Sequence, residues 1–316
     1  SSIKSTYIVM KKNIILVLIS ISILSIVVFS QAPNSFPSKP FSFPIYKGNS
    51  LNKITDVLFS KIIIKSKILF NASCNLFSFG SGLKAGYYKF TVKENVFVIA
   101  YRMAKGQIRQ QKIRITIPEG TNVSDMAFIL LKNLPDFNAP RFVSLAKKDE
   151  GYLYPDTYDF YEGTSPEDII STMKDNFDSK IKGLDSEINN SKRSLEDIII
   201  MASLIEEEVN NDIDRKIVSG ILWKRLDENM LLQVDAPFYY ITDKKGGVTY
   251  DDLKIDSPYN TYKYKGLTKG PISNPGIKSI EAALRPTKTN YYYYLSGKDG
   301  VTRYATTYDG HLRNKN

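Results

Sequence analysis

An uncharged stretch near the N-terminus restricts the possible folds of this chain more than any other feature. Asn13 to Ser30 reads NIILVLISISILSIVVFS, and Lys11 and Lys12 stand just before it. The run is slightly shorter than the ~20 residues that span a bilayer comfortably, so it predicts a short membrane helix or the core of a signal peptide. The lysines favour an N-terminus inside the cell, with everything after Gln31 outside.

The segments around this run complete the expected N-terminal region. We expect an uncleaved anchor, with cleavage after Ser30 as the alternative, because Val28 and Ser30 suit a cleavage site. Met10 with its two lysines resembles a natural start, so residues 1–9 are expected to be an extension without structural meaning. Residues 1–30 are therefore assigned to extension and anchor, and the Pro/Ser-rich residues 31–40 to a linker that lets the rest stand off the membrane.

Composition excludes several classes of function. The chain has 316 residues and 42% apolar content, enough for a sizeable core and about two domains. A single cysteine, Cys74, and a single histidine, His311, exclude an intrachain disulfide and any metal site built on paired His or Cys ligands. No metal or cofactor is expected. The net charge of +10 attracts acidic partners, but the lysines form no dense basic run, so we expect no nucleic-acid partner.

Two kinds of periodicity alternate after the linker. A helical pattern around Leu51 and Leu58 precedes GLKAGYYKFTV and KIRITIPEG, which both alternate as strands do. Thr121 or Asn122 is expected to cap the next helix. These patterns predict a small α+β module over residues 41–112 and a second domain over residues 113–316.

The segment ASLIEEEV ends an apolar helix in three glutamates. Leu195 to Val209 has a period near 3.6, and Ser194 with Asp197 resembles a capping box. At roughly 100° per residue, Glu206 falls on the apolar stripe, Glu207 points about a third of a turn away and Glu208 lies at the margin. A carboxyl group among apolar neighbours has a raised pKa and can act as a general acid. In the alternative reading, Glu206 lies at the rim of the core or pairs with a lysine.

Two loop segments have the composition of a carbohydrate site. EGYLYPDTYDFYEG combines aromatic and acidic residues, and DSPYNTYKYKGLTKGPISNPG is rich in Tyr, Asn, Pro and Gly. Tyrosine rings pack on sugar rings while amides bind hydroxyl groups, so these loops favour a glycan groove. A tyrosine-rich surface loop without a ligand is the alternative.

The order of these motifs resembles a known family. EGYLYPDTY, ASLIEEEV, LQVDAPFYY, SPYNTYKYKGLTKGPISNPG, SIEAALRP and YYYYLS follow each other as in the endolytic murein transglycosylases of the MltG (YceG-like) family, and LKAGYYKF and ITIPEGTNVSDMA are similar to its upstream part. The resemblance implies an α+β protein: a LysM-like α+β module over 41–112, followed by a mixed α/β YceG-like catalytic domain over 113–316, with one N-terminal transmembrane helix.

The resemblance also implies an activity and its residues. The enzyme would be a lyase that cleaves the MurNAc-GlcNAc β-1,4 bond within peptidoglycan strands, leaves 1,6-anhydroMurNAc ends and helps to terminate strand elongation. It would sit as a single-pass protein in the bacterial cytoplasmic membrane with its catalytic domain outside, and peptidoglycan synthases are implied partners. Glu206 matches the catalytic glutamate. The implied substrate-binding positions are Glu150, Asp156, Gln233, Asp235, Tyr259, Asn260, Thr261, Tyr262 and Asn274.

Some segments depart from the family pattern, and other functions stay open. Ala236-Pro237-Phe238 follows the Gln-x-Asp motif in place of the usual residues, His311 has lost its usual neighbours, and NVFVIAYRMAKGQI is only loosely similar. A muramidase-type hydrolase with Asp235 as second carboxylate is one alternative. Another is a membrane-anchored wall-binding or scaffold protein without catalysis. Serine acyl transfer through Ser144 and Lys147 has the S-x-x-K spacing but lacks the accompanying motifs.

Overall fold

The computed structural model divides the chain into two compact units, Ser1–Lys112 and Ile113–Asn316. It describes residues 2–38, 41–46, 48–78, 82–107, 112–134, 136–242, 247–297 and 300–315, without the side chains of residues 2–9 and 315. The last two residues of the predicted linker, 39 and 40, and the first residue of the predicted extension lie outside this described part. The functional assignment of the two parts as LysM-like module and catalytic domain stays a prediction.

Helix α1, Ser2–Ser30, contains the uncharged run. Its segment Met10–Ser30 has a mean hydropathy of 2.6 and is long and apolar enough to cross a membrane. The residues of the predicted extension from Ser2 onward continue the same helix. An apolar helix whose side chains are exposed on all sides is typical of a membrane span, because water offers such a surface no partner.

The rest of the first unit packs three helices with a two-stranded sheet. Strands β1, Phe41–Ile45, and β2, Gly86–Phe90, are antiparallel, with Phe41 opposite Phe90. Between them lie α2, Leu51–Ser60, and α3, Lys67–Ser78, and α4, Val96–Lys105, follows. Their buried faces form one core, so the predicted strand in GLKAGYYKFTV is confirmed.

The Pro/Ser-rich segment after α1, which was predicted to be a linker between membrane and folded part, packs on the folded part of the first unit. Ser30, the last residue of α1, is buried, and its Oγ accepts a hydrogen bond from Asn95 Nδ2 at 3.1 Å. Pro33 is buried and Phe36 packs on the core of the unit. Apolar residues between the prolines find partners in the folded unit, and the stand-off from the membrane stays a prediction. The absence of helix in residues 31–38 was predicted correctly.

The second unit is a helical assembly with short two-stranded sheets, which gives a mixed α+β fold. Strand β3, Lys112–Thr116, pairs with β4, Thr157–Tyr161, and β5, Tyr293–Ser296, pairs antiparallel with β6, Thr302–Ala305. The helices are α5 Val123–Asn133, α6 Ala139–Ala146, α7 Pro166–Ile181, α8 Asp185–Asn190, α9 Leu195–Glu208, α10 Asp212–Asp227, α11 Ala236–Thr242, α12 Ile277–Leu284 and α13 Tyr308–Lys315.

Helix α9 lies at the centre of the larger core. Ser194 and Asp197 form the predicted capping box, with the Asp197 N–H donating to Ser194 Oγ at 3.1 Å. Every residue from Ile198 to Ile205 is buried, so the helix is enclosed on all sides rather than along one stripe. A helix that is apolar all round belongs in the interior, and its end fixes the position of the glutamates that follow.

Candidate active site

The side chain of Glu206 is enclosed at the end of α9, with 6% of its surface exposed. Its Oε1 accepts a hydrogen bond from Arg215 Nη2 at 3.2 Å, and its Oε2 accepts one from the Gly276 N–H at 2.9 Å. The helical period placed Glu206 on the apolar stripe, and its side chain is largely enclosed, but its carboxyl group pairs with a cation, as in the alternative reading, although the cation is an arginine and not a lysine. In the structure this group reaches past the apolar surface of α9 to a guanidinium and to the cap of α12.

Arg215 comes from the first turns of α10 and is itself buried. It also donates to Asp212 at 3.0 Å, and Lys278 lies 3.5 Å from the other oxygen of Asp212. Sequence reasoning missed Arg215. The available signal was an arginine at the spacing of Val218 and Leu222, which is the buried face of that helix.

A second carboxyl group, Glu119, belongs to the same site. Burial is the largest cause that raises the pKa of Glu119. The negative charge of Glu206 raises it further, and the positive charge of Arg215 lowers it. Sequence reasoning did not single out Glu119, although an acid directly after Pro118 at the end of a strand was visible in ITIPEG. The charge of Glu206 thus acts on Glu119 and also on Glu207, whereas Asp235, the second carboxylate of the hydrolase alternative, acts on Glu208.

The next two glutamates face different surroundings. Glu207 is exposed as a whole residue, but its carboxyl group lies against Gly120 and Ser273, and burial of this group raises its pKa to about 7. Burial likewise raises the pKa of Glu208 to about 7, and the charge of Asp235 adds to the rise. Tyr294 donates its hydroxyl to Glu208 at 3.0 Å.

Glu207 and Glu208 line a cleft of about 560 Å³. Three predicted groove residues, Gln233, Asp235 and Tyr262, line it as well, and the Tyr262 hydroxyl donates to Asp235 at 2.6 Å. His311, whose role was in doubt, also lies on this wall and stacks on Tyr293 with ring centres 5.5 Å apart. The cleft therefore combines carboxyl groups, an amide and aromatic rings, the side chains that bind sugars.

Gln233 has a left-handed backbone, with φ of 51°. Thr261, which is 2% exposed, holds this turn: its carbonyl accepts from the Gln233 N–H at 3.1 Å and its hydroxyl accepts from the Val234 N–H at 3.0 Å. A non-glycine residue in this region costs free energy, so fixed contacts must maintain it. Thr261 was predicted to line the groove, but it instead supports the residue that does.

Two more predicted groove residues are buried in the framework of the loops. Asn274 is fully buried, and its Oδ1 accepts from the Gly151 and Leu153 N–H groups, both at 2.9 Å. Its Nδ2 donates to Glu150 at 2.8 Å. Glu150, 5% exposed, also accepts from the Val123 N–H at 3.0 Å and so caps α5. Both residues use their polar atoms inside the protein rather than facing the cleft.

The last three predicted groove residues, Asn260, Tyr259 and Asp156, lie outside the cleft. Asn260 is 1% exposed and donates to the carbonyls of Leu253 and Ile255, so it also belongs to the framework. Tyr259 is half-buried and packs on Tyr240. Asp156 lies at the start of β4, where Asn176 and Lys180 bind its carboxylate and lower its pKa. None of these three lines the cleft of Glu207 and Glu208 as the structure describes it.

The described residues give no group of three or more His, Cys, Asp or Glu side chains arranged to hold a metal ion. The carboxyl groups of Glu206 and Asp212 are instead bound by the side-chain cations of Arg215 and Lys278, and that of Glu206 also by the Gly276 N–H. Such an arrangement can donate a proton, take it back and stabilise positive charge that develops on a bound sugar.

Comparison with known proteins gives a consistent group of relatives. The sequence model of the YceG-like family matches residues 43–316. An endolytic murein transglycosylase of Bacillus subtilis strain 168 is 33% identical over 299 residues, which cover 86% of this chain and 82% of that protein. One of Streptococcus pneumoniae strain D39 is 28% identical over 313 residues, 85% of this chain and 57% of that longer protein.

A solved structure shares the fold. The crystal structure of a YceG-like protein from Listeria monocytogenes superposes with a TM-score of 0.59 at 31% identity and covers 89% of this chain and all of that one. The match includes both of the compact units, since it extends over most of the sequence.

Proposed function

This chain belongs to the YceG-like family, and from that premise we propose that it is an endolytic lytic transglycosylase of peptidoglycan. It cleaves the β-1,4 bond between N-acetylmuramic acid and N-acetylglucosamine inside a glycan strand, leaves 1,6-anhydro ends and helps to terminate strand elongation. The observation that carries this proposal is the enclosed carboxyl group of Glu206, held by Arg215 and the Gly276 N–H at the end of a buried helix.

The first step is proton donation. Protonated Glu206 gives its proton to the glycosidic oxygen while the bond to the muramoyl C1 breaks, and positive charge develops on the sugar ring. Glu206 becomes a carboxylate, and Arg215 and the Gly276 N–H are already placed to receive that charge. Because these donors do not have to reorganise, they stabilise the product of the step as it forms.

The second step returns the proton. The C6 hydroxyl of the same muramoyl residue attacks C1 and closes the anhydro ring, and its proton passes to Glu206. The acid is thereby restored without water. One carboxyl group serves both steps because the substrate supplies the nucleophile, whereas hydrolysis needs a second carboxylate or an activated water.

The cleft beside Glu208 is proposed to hold the glycan. Gln233 and Asp235 offer hydrogen bonds to hydroxyl and acetamido groups, and the rings of Tyr262 and Tyr293 offer apolar faces to the sugars. Glu150, Asp156, Tyr259, Asn260, Thr261 and Asn274 complete the set carried over from the family. In this chain the buried members of the set support the binding loops, and the direct contacts come from the cleft.

The first unit is proposed to anchor and assist the enzyme. Helix α1 places the protein in the cytoplasmic membrane as a single span, with the catalytic unit on the outer side, and its two preceding lysines support this orientation. The strand–helix–helix–strand order from β1 to β2 supports a LysM-like module. Peptidoglycan synthases, which make the strands, are the proposed protein partners.

The test uses the full-length protein in detergent with uncross-linked peptidoglycan strands and mass analysis of the fragments. Glu206→Gln keeps the shape and removes the proton, and should reduce cleavage by about 100-fold or more. Glu167→Gln, an exposed carboxylate paired with Arg141, is the matched control and should leave cleavage unchanged. Fragments with 1,6-anhydro ends that vanish in Glu206→Gln are the expected result.

Two other outcomes would contradict the proposal. Fragments with reducing ends would mean hydrolysis, the alternative in which Asp235 is the second carboxylate. Strand binding without any fragments would leave a membrane-anchored wall-binding protein in which Glu206 is structural.

A further inference from the structure

Arg225 is a buried residue of α10 that also lines the cleft. Its Nε donates a hydrogen bond to the carbonyl of Tyr292 at 2.7 Å, and its Nη1 donates to the carbonyls of Leu231 and Leu232 at 3.3 Å and 2.8 Å. These bonds tie α10 to the segment before Gln233 and to the segment before β5. They also fix the plane of the guanidinium, because its nitrogens cannot turn independently.

The third nitrogen of this guanidinium, Nη2, has no hydrogen-bond partner in the described part of the chain. Nε and Nη1 are both bound to backbone carbonyls, so Nη2 is the nitrogen that remains for a ligand in the cleft. The ring of Tyr293 packs beside the group, with its centre 5.0 Å from Cζ of Arg225. Arg225 thus offers the cleft a charged donor whose direction is already set.

The charge of Arg225 has no opposite charge bonded to it among the residues that the structure describes. Arg102 and Arg215, which are buried as well, pair with Glu94 and Glu206. Arg225 is 5% exposed and binds carbonyl groups alone, and burial lowers its pKa. A buried charge without an ionic partner costs free energy, and a bound anion would reduce that cost.

Tyrosine hydroxyl groups already bind the acids of the cleft. Tyr294 donates to Glu208 at 3.0 Å, and Tyr262 donates to Asp235 at 2.6 Å. Burial raises the pKa of both tyrosines, and the positive charge of Arg225 opposes that rise, so the guanidinium lies near their rings. Because the two acids have donors of their own, Nη2 of Arg225 is left for an anion that a ligand brings.

The proposed substrate carries anions of this kind. In peptidoglycan, each muramoyl residue bears a stem peptide on its lactyl group, and the stem has free carboxylates. The cleft is walled by Glu208, which comes two residues after Glu206 in α9, so a muramoyl residue near the reacting bond brings its stem to this region. A guanidinium with a fixed plane matches the geometry of a carboxylate better than any other side chain.

We propose that Arg225 binds a carboxylate of the stem peptide on a muramoyl residue in the cleft, so that the enzyme selects glycan strands whose stems carry free carboxylates. The inference deepens the proposed function and rests on it for the identity of the ligand. Arg225 contacts the side chain of the sugar and takes no part in either proton transfer. It is therefore a specificity residue, and its loss acts on substrate binding.

The first test compares three forms of the substrate on full-length Glu206→Gln protein in detergent, which should bind strands without cleaving them. The first form is uncross-linked strands with intact stems. In the second form, carbodiimide and ammonia have converted the stem carboxylates into amides. In the third, an amidase has removed the stems and left a carboxylate on each lactyl group. We expect the first form to bind at least about tenfold more tightly than the other two, because both lack the stem carboxylate and its charge-assisted hydrogen bond.

Two results of this comparison would overturn the proposal. Equal affinity for intact and amidated strands would mean that no stem carboxylate is recognised. Tight binding of the stem-free strands alone would place the contact at the lactyl carboxylate and not at the stem.

The second test introduces Arg225→Gln into the same protein. Loss of the guanidinium should abolish the preference for intact over amidated strands. Lys224→Gln is the matched control, because Lys224 is the neighbouring cation on α10 and donates to the carbonyl of Asn290 outside the described lining of the cleft. It should keep the preference. A preference that persists in Arg225→Gln would assign the carboxylate to another residue and overturn the proposal.

A third measurement leaves Arg225 unchanged, since Arg225→Gln also loses the bonds to three carbonyls and can fail to fold. The full-length Glu206→Gln protein is crystallised with an N-acetylmuramoyl peptide. We expect an oxygen of a stem carboxylate within about 3 Å of Nη2 of Arg225. A stem whose carboxylates all lie elsewhere would overturn the proposal, even if the affinities differ.

Cleavage by the native protein separates this inference from the proposed function. If the native protein cleaves intact and amidated strands with the same KM, the proposed function stands and the inference fails. If Glu206→Gln prefers intact strands but the native protein releases no fragments, the carboxylate site stands and the proposed function fails.

Discussion

Three consecutive glutamates at the end of α9 enter two different environments. Glu206 meets a permanent cation, Arg215, and a backbone N–H, whereas Glu208 meets the neutral hydroxyl of Tyr294 in the cleft. A rotation of about 100° per residue is enough to separate neighbours in this way. The number of acids in a motif therefore says little about its charge, because the partner of each carboxyl group decides whether that group is stabilised as an anion.

The two sides should respond differently to pH. On the side of Glu206, the carboxyl group is bound by the guanidinium of Arg215 and by a backbone N–H. The cleft side holds Glu207 and Glu208, each with a pKa raised to about 7, so its charge changes near neutrality. Substitutions near Glu206 and substitutions in the cleft can therefore show whether these two environments differ in their response to pH.

The largest expected effect is the loss of Arg215. Arg215→Met would leave the enclosed Glu206 carboxylate without its cation, which costs about 3–5 kcal/mol of folding free energy for a buried pair. Cleavage should fall at least about 100-fold, since the charge formed in the first step loses its partner. Chemical denaturation and strand cleavage are the two measurements.

A double variant controls for general damage by this substitution. Glu206→Gln combined with Arg215→Met removes both charges, so a part of the lost stability should return. If the double variant loses as much folding free energy as the two single variants added together, the ion pair between Glu206 and Arg215 contributes no stability. The contrast between Glu206 and the cleft glutamates then fails.

The next effect concerns the pH dependence of stability through Glu208. Its pKa is about 7 in the folded protein and about 4.3 in an unfolded chain, so the folded state binds the proton more tightly. Stability is then greatest below the unfolded value and falls as pH rises toward 7. Glu208→Gln removes this fall and should be more stable than the native protein at pH 8, by up to about 4 kcal/mol.

Thermal unfolding at pH 5 and pH 8 tests this expectation, with Glu167→Gln as the control. Burial of Glu167 is slight and Arg141 lowers its pKa, so its substitution should not stabilise the protein at pH 8. A Glu208→Gln variant that is no more stable than native at pH 8 would mean that the cleft carboxyl groups are as well compensated as Glu206.

The smallest expected effect lies in the turn at Gln233. Glycine tolerates its φ of 51° without strain, so Gln233→Gly should change stability by no more than about 1 kcal/mol. The amide that lines the cleft is lost, and the apparent KM for strands should rise while kcat stays near native. An unchanged KM would place glycan binding away from this cleft.

Local features of the fold were largely predictable from sequence. The capping box at Ser194, the N-cap at Asn122 and the strand in KIRITIPEG depend on neighbours within a few residues, and the structure confirms all three. The burial of Glu206 followed from the helical period in the same way. Propensity and periodicity act over one or two helical turns, so they are sufficient to predict features that depend on neighbouring residues.

The partners of the site residues were not predictable because they are distant in the chain. Gly276 lies 70 residues after Glu206, and Asn274 lies more than 120 residues after Gly151 and Leu153. The motif resemblance identified Asn274 as a residue of the site. It could not indicate whether its side chain binds a ligand or a buried N–H group. Glu119 escaped notice for the same reason, since only the fold brings it to Gly276.

The buried end of α1 has a mechanical consequence. Asn95 donates a hydrogen bond to Ser30 at the end of α1, and Phe36 packs on the core of the first unit. Because of these contacts, α1 and the rest of this unit move together. A force applied to the folded part of this unit is therefore transmitted to α1 through these contacts rather than through a loose tether.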